Sequence, residues 1–200
     1  NSEFRLGETT FRIPMSGELN IRNALAALLL ARYAGLSDEQ IQSGLDTFEG
    51  IRRRMEIRGE ASGITVIDDF AHHPTAVQVT TAALKMRFAG RRLWIVFEPR
   101  SNTSRRKVFQ QRYAESFAGA DQIILKATPD LRIEEAERMD PEQLAADLRA
   151  KGHEAICLAE TDDVIANLSA NAMEGDVIAF FSNGAFDNVH ERTLDALRTR

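Results

Sequence analysis

The sequence lacks several features that would assign it to a class directly. It has one cysteine, Cys157, among 200 residues, which excludes an internal disulfide framework and a zinc site built from cysteines. No apolar run approaches the roughly 20 residues of a membrane-spanning helix, and the polar opening is not a signal peptide. We therefore expect a protein of the reducing cytoplasm without a membrane partner.

An excess of positive charge is also absent. The 25 Lys and Arg residues are outnumbered by 30 Asp and Glu residues, which gives a formal charge of −5 and an isoelectric point near 5.5. Nucleic-acid binding needs Lys and Arg residues that outnumber the acids on one face. We therefore expect no nucleic-acid partner, although local basic clusters still need an explanation.

The first fifty residues contain mainly helical signals. Residues 9–14 alternate like a short strand, and the spacing of apolar residues predicts a helix over 19–34. Ser37 is a good N-cap for a second helix that runs to about residue 48. We find no coherent element before these and expect the helical pair to have no core of its own, so the chain is expected to begin inside something larger.

The pattern of apolar residues changes near Gly50, so we divide the chain into residues 1–50 and 51–200. In the second part, strands are predicted at 54–59, 64–68, 93–97, 122–126, 154–158 and 177–181, and helices at 74–87, 104–118, 141–151, 161–171 and 186–198. Short apolar strands separated by amphipathic helices predict an α/β fold with a mainly parallel, Rossmann-like sheet and helices on both faces.

Three polar segments follow strands of this sheet. They are Asp-Asp-Phe-Ala-His-His-Pro at 68–74, Glu-Pro-Arg-Ser-Asn-Thr-Ser-Arg-Arg at 98–106 and Ser-Asn-Gly-Ala at 182–185. Because ligands of open α/β sheets bind outside the carboxyl ends of the strands, we expect these segments to form the site.

The acidic segment at 68–74 has two interpretations. Asp69 or His73 would serve only to cap the helix that begins at Pro74, a favoured first helical position. Capping uses one side chain, however, and leaves the others unexplained. The functional interpretation places an acid on a ribose hydroxyl or a hydrated metal and an imidazole on a carboxylate or phosphate, whereas zinc is a poor third choice because three converging ligands are not evident.

The basic residues also have a plain interpretation and a functional one. The run Arg52, Arg53, Arg54 is either a solvated face or a guanidinium source for phosphate or a base. In the loop at 98–106, Arg100 suits an anion, while Thr103 or Ser104 is an ordinary N-cap for the next helix.

Two further segments carry weaker signals. The sequence at 182–185 is either a plain tight turn or a weak phosphate signal. Asn20 and Asn23 share one helix face, for capping or for ligand contact.

Together these segments resemble the Mur ligase family. Members of that family carry a His-Asn-x-x-Asn-Ala helix, an Arg-x-Glu segment and an Asp-Tyr-Ala-His-x-Pro turn. The corresponding strings here are Leu-Asn-Ile-Arg-Asn-Ala at 19–24, Arg-Met-Glu at 54–56 and Asp-Phe-Ala-His-His-Pro at 69–74. The sequence of these segments is most similar to that of members that attach recovered L-Ala-γ-D-Glu-meso-diaminopimelate to UDP-N-acetylmuramate in peptidoglycan recycling.

The resemblance implies the C-terminal part of an ATP-dependent amide ligase that works through an acyl phosphate, with 1–50 the end of the central ATPase domain. It implies nucleotide contacts from Asn20 at adenine, Arg54 at phosphate and Asp69 at ribose. It implies a peptide site lined by Phe70, His72, Arg100, Ser101, Asn102 and Thr103. Two positions depart from the family pattern, since Leu19 replaces the usual His and Phe70 replaces a frequent Tyr.

An absence limits what the chain alone is expected to do. It has no G-x-x-x-x-G-K-[ST] loop to hold the ATP phosphates and seat Mg²⁺, and the UDP-binding domain of the family is missing. We therefore expect no ATP turnover by this fragment, with Mg²⁺ held mostly by the missing central domain and UDP-N-acetylmuramate and murein peptide as partners of the full-length enzyme.

Other functions stay open at this point. The chain is alternatively part of a UDP-N-acetylmuramate–L-alanine ligase, or a non-catalytic nucleotide- or peptide-binding module. A phospho-receiver domain is a further alternative, because such domains have counterparts of the acidic pair after the first parallel strand, of the Thr or Ser loop and of a strand-end lysine such as Lys126. The two candidate strand ends read Phe-Glu-Pro at 97–99 and Lys-Ala-Thr at 126–128, without the Asp that a receiver phosphorylates.

Overall fold

The computed structural model describes residues 2–15, 17–128 and 133–200. The chain forms two compact units, Asn1–Arg52 and Arg53–Arg200. The described residues contain no helix that is both long and apolar enough to cross a membrane.

The first unit contains a β-hairpin and two helices. Its elements are β1 Ser2–Leu6, β2 Thr9–Ile13, α1 Glu18–Tyr33 and α2 Asp38–Asp46, with β1 and β2 antiparallel. The expectation of no element before residue 9 was therefore wrong: alternation of apolar and polar residues in β1 becomes a strand once β2 supplies its hydrogen bonds.

This unit also has a small core of its own, contrary to expectation. Phe11, Leu28 and Ile41 are buried together, one from the hairpin and one from each helix. The predicted cap of α2 is confirmed, since the Ser37 hydroxyl accepts the Gln40 N–H at 3.3 Å and the Gln40 side chain accepts the Ser37 N–H. Such a capping box satisfies two helix-end donors that would otherwise lack partners.

The second unit is built on a six-stranded sheet, as predicted. Its strands are β3 Glu56–Ala61, β4 Ile64–Asp69, β5 Leu93–Phe97, β6 Gln122–Lys126, β7 Glu154–Leu158 and β8 Val177–Phe181. They lie in the order β3-β4-β8-β5-β6-β7. Only the β3–β4 pair is antiparallel; the other pairs are parallel.

Helices cover both faces of the sheet. They are α3 Pro74–Arg87, α4 Gln110–Ala114, α5 Pro141–Ala150, α6 Thr161–Asn171 and α7 Val189–Thr199. Side chains of α3, α4 and α5 share one buried cluster with Ile95 and Phe97, whereas α6 and α7 share another with Trp94 and Val96. Because successive strand residues point to opposite faces, β5 supplies both cores and is apolar throughout.

Three predicted boundaries were wrong. The strand expected from residue 54 begins at Glu56, because residues 53–55 form a turn. The helix expected over 104–118 is reduced to a 3₁₀ turn, Lys107–Phe109, and α4, since Arg105 O accepts the Met139 N–H instead of a helical partner. The last helix begins at Val189 after a 3₁₀ turn, Phe186–Asn188.

Candidate functional site

The three polar segments that follow β4, β5 and β8 lie side by side at one edge of the sheet. Strand β8 pairs with β4 on one side and β5 on the other, so Asp69 and Phe97 both lie opposite Phe181. Two backbone hydrogen bonds continue this pairing into the loops, from Ser182 N to Asp69 O at 3.1 Å and from Glu98 N to Phe181 O at 2.9 Å. The parallel topology therefore brings the segments together as expected.

A tight turn at residues 53–55 lies against this edge. Arg53 and Met55 have φ angles of 59° and 47°, in the left-handed region that non-glycine residues rarely occupy. Carboxylates hold both ends of the turn: Glu56 accepts the Arg53 N–H and Asp69 accepts the Met55 N–H, each at 2.7 Å. The turn projects Arg54 into solvent, where, among the described residues, its guanidinium has no hydrogen-bonding partner.

Phe70 brings the turn and the acidic segment into contact. The Arg53 and Arg54 guanidinium carbons lie 5.1 and 5.6 Å from the centroid of its ring, within the range of a cation–π interaction. The Phe70 N–H also donates to Arg53 O at 2.9 Å. The Phe70 ring, which lacks the hydroxyl of a tyrosine, therefore packs against two guanidiniums.

The two adjacent carboxylates differ in environment. Asp69 is 2% exposed and accepts the Met55 and Ala71 N–H groups. Burial raises its pKa above the ordinary value, even though these two bonds and nearby Arg54 oppose the shift. Both oxygens are used by backbone donors, so capping of α3 is not the role of Asp69.

Asp68 is also buried, but it faces two basic side chains. Its Oδ2 accepts from Arg53 Nε at 3.2 Å, and its Oδ1 lies 3.4 Å from His190 Nε2. Burial raises the pKa of Asp68, but His190 and Arg53 outweigh burial and hold it below the ordinary value. The sequence indicated neither His190 nor Arg53 individually, because their roles depend on contacts across the fold.

The two histidines occupy the turn before α3. His72 has its Nδ1 2.8 Å from Phe70 O, and the Tyr113 hydroxyl donates to His72 O at 2.5 Å. His73 is the N-cap of α3 and Pro74 its first residue, but in the described structure the His73 side chain makes no capping bond. The imidazole of His72 is therefore oriented by its own turn, with Nε2 directed away from that bond.

The loop after β5 is held by hydroxyl groups. Ser101 Oγ accepts the Ser104 N–H at 3.0 Å, and the Ser104 hydroxyl donates to Ser101 O at 3.0 Å. Such local bonds compete with helix formation, which accounts for the missing start of the predicted helix. Ser104 and Thr103 are consequently not N-caps, and the short α4 gives no support to a helix-end anion site.

Arg100 and Arg106 are exposed cations of this loop, and Arg106 pairs with Glu137 at 3.0 Å. The guanidinium of Arg100 has no hydrogen-bonding partner in the described part of the chain, and its side chain lies over Gly184, where an added Cβ would be 2.8 Å from Arg100 Cζ. Asn102 is exposed and Thr103 half-buried beside it. The side chain of Arg100, on the loop after β5, therefore packs against the loop after β8.

Ser182 links these loops below the surface. Its hydroxyl donates to Glu98 Oε2 at 2.5 Å and accepts the Gly184 N–H at 2.9 Å. The segment at 182–185 is thus a tight turn, as the plain interpretation held, and it also contacts Arg53. A Ser-x-Gly string after a buried strand was the available sequence signal.

Asn20 belongs to the first unit. It lies in the first turn of α1 and is half-buried, and its N–H donates to Gly17 O at 3.1 Å. Its predicted contact with adenine stays a prediction. In residues 2–15, 17–128 and 133–200, no group of three or more His, Cys, Asp or Glu side chains is placed to hold a metal ion.

The fold and the site together define an α/β domain that presents two exposed guanidiniums above buried carboxylates at the carboxyl edge of a parallel sheet. Residues 53–184 match the Mur ligase family in its glutamate ligase domain. The chain belongs to the Mur ligase family, and the receiver alternative does not hold.

Individual relatives agree with this assignment. The chain is 37% identical over 182 residues to the UDP-N-acetylmuramate–L-alanyl-γ-D-glutamyl-meso-2,6-diaminoheptandioate ligase of Escherichia coli K12, covering 90% of this chain and 38% of the relative. It is 36% identical over 194 residues to the UDP-N-acetylmuramate–L-alanine ligase of Salinibacter ruber, covering 96% and 40%. A murein peptide ligase structure from Psychrobacter arcticus matches with a TM-score of 0.73 and 34% identity, over 96% of this chain and 39% of that one. The chain therefore spans about two fifths of these relatives.

Proposed function

We propose that this chain is the C-terminal part of an ATP-dependent ligase that joins L-Ala-γ-D-Glu-meso-diaminopimelate to UDP-N-acetylmuramate in the cytoplasm. Asn1–Arg52 would be the end of the central domain and Arg53–Arg200 the C-terminal domain. The observation that carries the proposal is the presence of two exposed guanidiniums, Arg54 and Arg100, on different loops of one sheet edge, neither with a hydrogen-bonding partner among the described residues.

Arg54 and Asp69 are assigned to the nucleotide. Arg54 projects from a turn that is held at both ends, so its guanidinium is available for phosphate oxygens. Asp69 holds that turn in place and is proposed to reach a ribose hydroxyl with the remaining lone pairs of its oxygens. These residues fit a nucleotide, and Asn20 is proposed to meet the adenine.

Arg100 and His72 are assigned to the incoming peptide. A tripeptide with γ-linked D-Glu and diaminopimelate carries several carboxylates, for which a free guanidinium is a suitable partner. Phe70, Ser101, Asn102 and Thr103 would complete the wall of this site. Electrostatic complementarity of this kind orients the amine rather than performing the bond chemistry.

The reaction itself needs groups that this chain does not supply. The carboxylate of UDP-N-acetylmuramate takes the γ-phosphoryl group of ATP, and ADP leaves. The peptide amine then attacks the acyl carbon, loses a proton and expels inorganic phosphate. The described residues offer no fitting Mg²⁺ site and the sequence has no P-loop, so we expect the fragment alone to be inactive.

Transfer of L-alanine is the second candidate, supported by the 36% identity to an L-alanine ligase. A non-catalytic binding module is the third. An amine panel on a full-length protein carrying this chain separates them: phosphate release that requires ATP, UDP-N-acetylmuramate and tripeptide supports the proposal. Release with L-alanine instead favours the second candidate, whereas the absence of phosphate release with every amine favours the binding module.

A further inference from the structure

Arg53 makes side-chain contacts with two of the three loops of the site. Its Nε donates to Asp68 Oδ2 at 3.2 Å, and its Nη2 donates to Ser182 O and Gly184 O, each at 2.7 Å. A planar guanidinium presents donors in fixed directions, so one side chain can satisfy a carboxylate and two carbonyls at once. Lysine would offer a single point charge to the same three acceptors.

The backbone of Arg53 is held as firmly as its side chain. The N–H donates to Glu56 and the carbonyl accepts from Phe70. Its φ of 59° costs roughly 1 kcal/mol or more for a residue that is not glycine. Such a conformation persists only where surrounding contacts over-determine it.

Asp68, the anionic partner of Arg53, belongs to β4 and lies against α7 on its far side. Its Oδ1 faces the buried His190 of α7 at 3.4 Å, and the His190 ring packs edge-on against Phe180 at 5.1 Å. Arg53 is thereby tied through Asp68 to the sheet and to α7, while the loop after β8 is tied to Arg53.

These contacts reach both candidate subsites. On one side Arg53 adjoins Arg54, and both guanidiniums lie over Phe70. On the other side it holds Gly184, over which Arg100 lies. We propose that Arg53 is a positioning residue that holds the nucleotide-binding turn, residues 53–55, and the loop after β8, against which Arg100 packs, in one arrangement without touching either substrate. The inference rests on the proposed function for the names of the two subsites.

The first test uses the chain itself and needs no ligand. Arg53→Lys is compared with Arg92→Lys, a matched control whose side chain is 30% exposed, like that of Arg53, and which pairs with the buried Asp176 at 2.6 Å at the opposite end of β8. Hydrogen exchange of residues 69–73 and 182–185 should be about tenfold faster in Arg53→Lys, as expected from losing charged hydrogen bonds, and unchanged in Arg92→Lys. Unchanged exchange in Arg53→Lys would overturn the inference.

The second test uses a full-length protein that carries this chain. Arg53→Lys should raise the KM for ATP and for the amine substrate together, each by about tenfold, because one residue orders both subsites. Arg54→Lys should act on ATP alone and Arg100→Ala on the amine alone. An effect of Arg53→Lys on only one substrate, or an effect equal to that of Arg92→Lys, contradicts the positioning role. A wild-type enzyme inactive with every amine refutes the proposed function, while the exchange measurement still decides the inference.

Discussion

Asp69 and Met55 are joined by a hydrogen bond of 2.7 Å between a buried carboxylate oxygen and a backbone N–H. Met55 has a φ of 47°, so the bond stabilises a conformation that the residue would not adopt alone. The acid at the end of β4 thus determines how the preceding turn presents Arg54. Its structural role therefore acts on the guanidinium that we propose binds phosphate.

Replacement of Asp69 by Asn should weaken ATP binding more than amine binding. The amide can still accept the Ala71 N–H, but its NH₂ group would then face the Met55 N–H and leave that donor unpaired, at a cost of about 1–3 kcal/mol. We expect a raised ATP KM in a full-length protein. Asp121→Asn is the control, because Asp121 accepts the Leu93 N–H at 2.7 Å outside the site, and equal effects of the two variants would contradict the assignment.

Gly184→Ala should separate affinity from stability. The added Cβ would clash with Cδ, Nη1 and Cζ of Arg100, and the flexible arginine can swing away at little cost to folding. We expect an unchanged melting temperature and an amine KM raised nearly as far as in Arg100→Ala. Gly44→Ala is the control, since nothing lies within 4 Å of the new methyl group. A helical Gly-to-Ala change stabilises by up to about 1 kcal/mol. An unaffected amine KM in Gly184→Ala would remove Arg100 from the peptide site.

The sheet could be predicted closely because its strands are buried on both sides. Trp94 and Val96 face one core, and Ile95 and Phe97 face the other, so β5 appears in the sequence as an uninterrupted apolar run. The loop at 98–106 could not be predicted in the same way. Its hydroxyl-to-backbone bonds replace helical ones, and nothing in residue type alone decides that competition.

The grouping of the three loops at one sheet edge was predictable from the sequence, but the contacts of the individual residues were not. The sequence places Arg53 and Arg54 in one basic run, and only the fold separates them into a residue bonded to Asp68 and one left exposed. Likewise His190 lies far from Asp68 along the chain, and α7 brings them together. Contacts between distant segments have no local pattern from which they could be inferred.

Tyr113→Phe should loosen the His72 turn. The Tyr113 side chain is fully buried, its hydroxyl donates to His72 O at 2.5 Å and its ring lies 5.1 Å from that of Phe97. Phenylalanine keeps the ring contact but leaves the carbonyl without this donor, which should lower the free energy of unfolding by about 1–2 kcal/mol. Denaturant titration measures this, with Tyr33→Phe as the control because Tyr33 is 93% exposed; identical losses in both variants would contradict a structural role for the bond.

Acid should protonate another buried carboxylate, Asp176, at the other end of β8. It accepts from Arg92 Nη2 at 2.6 Å, Trp94 Nε1 at 2.8 Å and the Met173 N–H at 2.9 Å. Burial raises its pKa, but Arg92 and the two other donors outweigh burial, so the folded-state pKa lies below the ordinary value of 3.8. The carboxylate therefore contributes stability that is present above pH 3.8 and is lost as the pH falls through the lower folded-state pKa.

The single tryptophan of the chain makes this transition observable. Fluorescence of Trp94 during denaturant unfolding, repeated at several pH values, should show stability falling below pH 3.8 in the wild type and falling less in Asp176→Asn. At neutral pH the variant should be less stable by about 2–3 kcal/mol, since a buried ion pair has lost one partner. Asp195→Asn, which removes an exposed ion pair with Arg198, should change the free energy of unfolding little. If the stability of Asp176→Asn falls with acid just as that of the wild type does, other carboxylates govern the loss of stability.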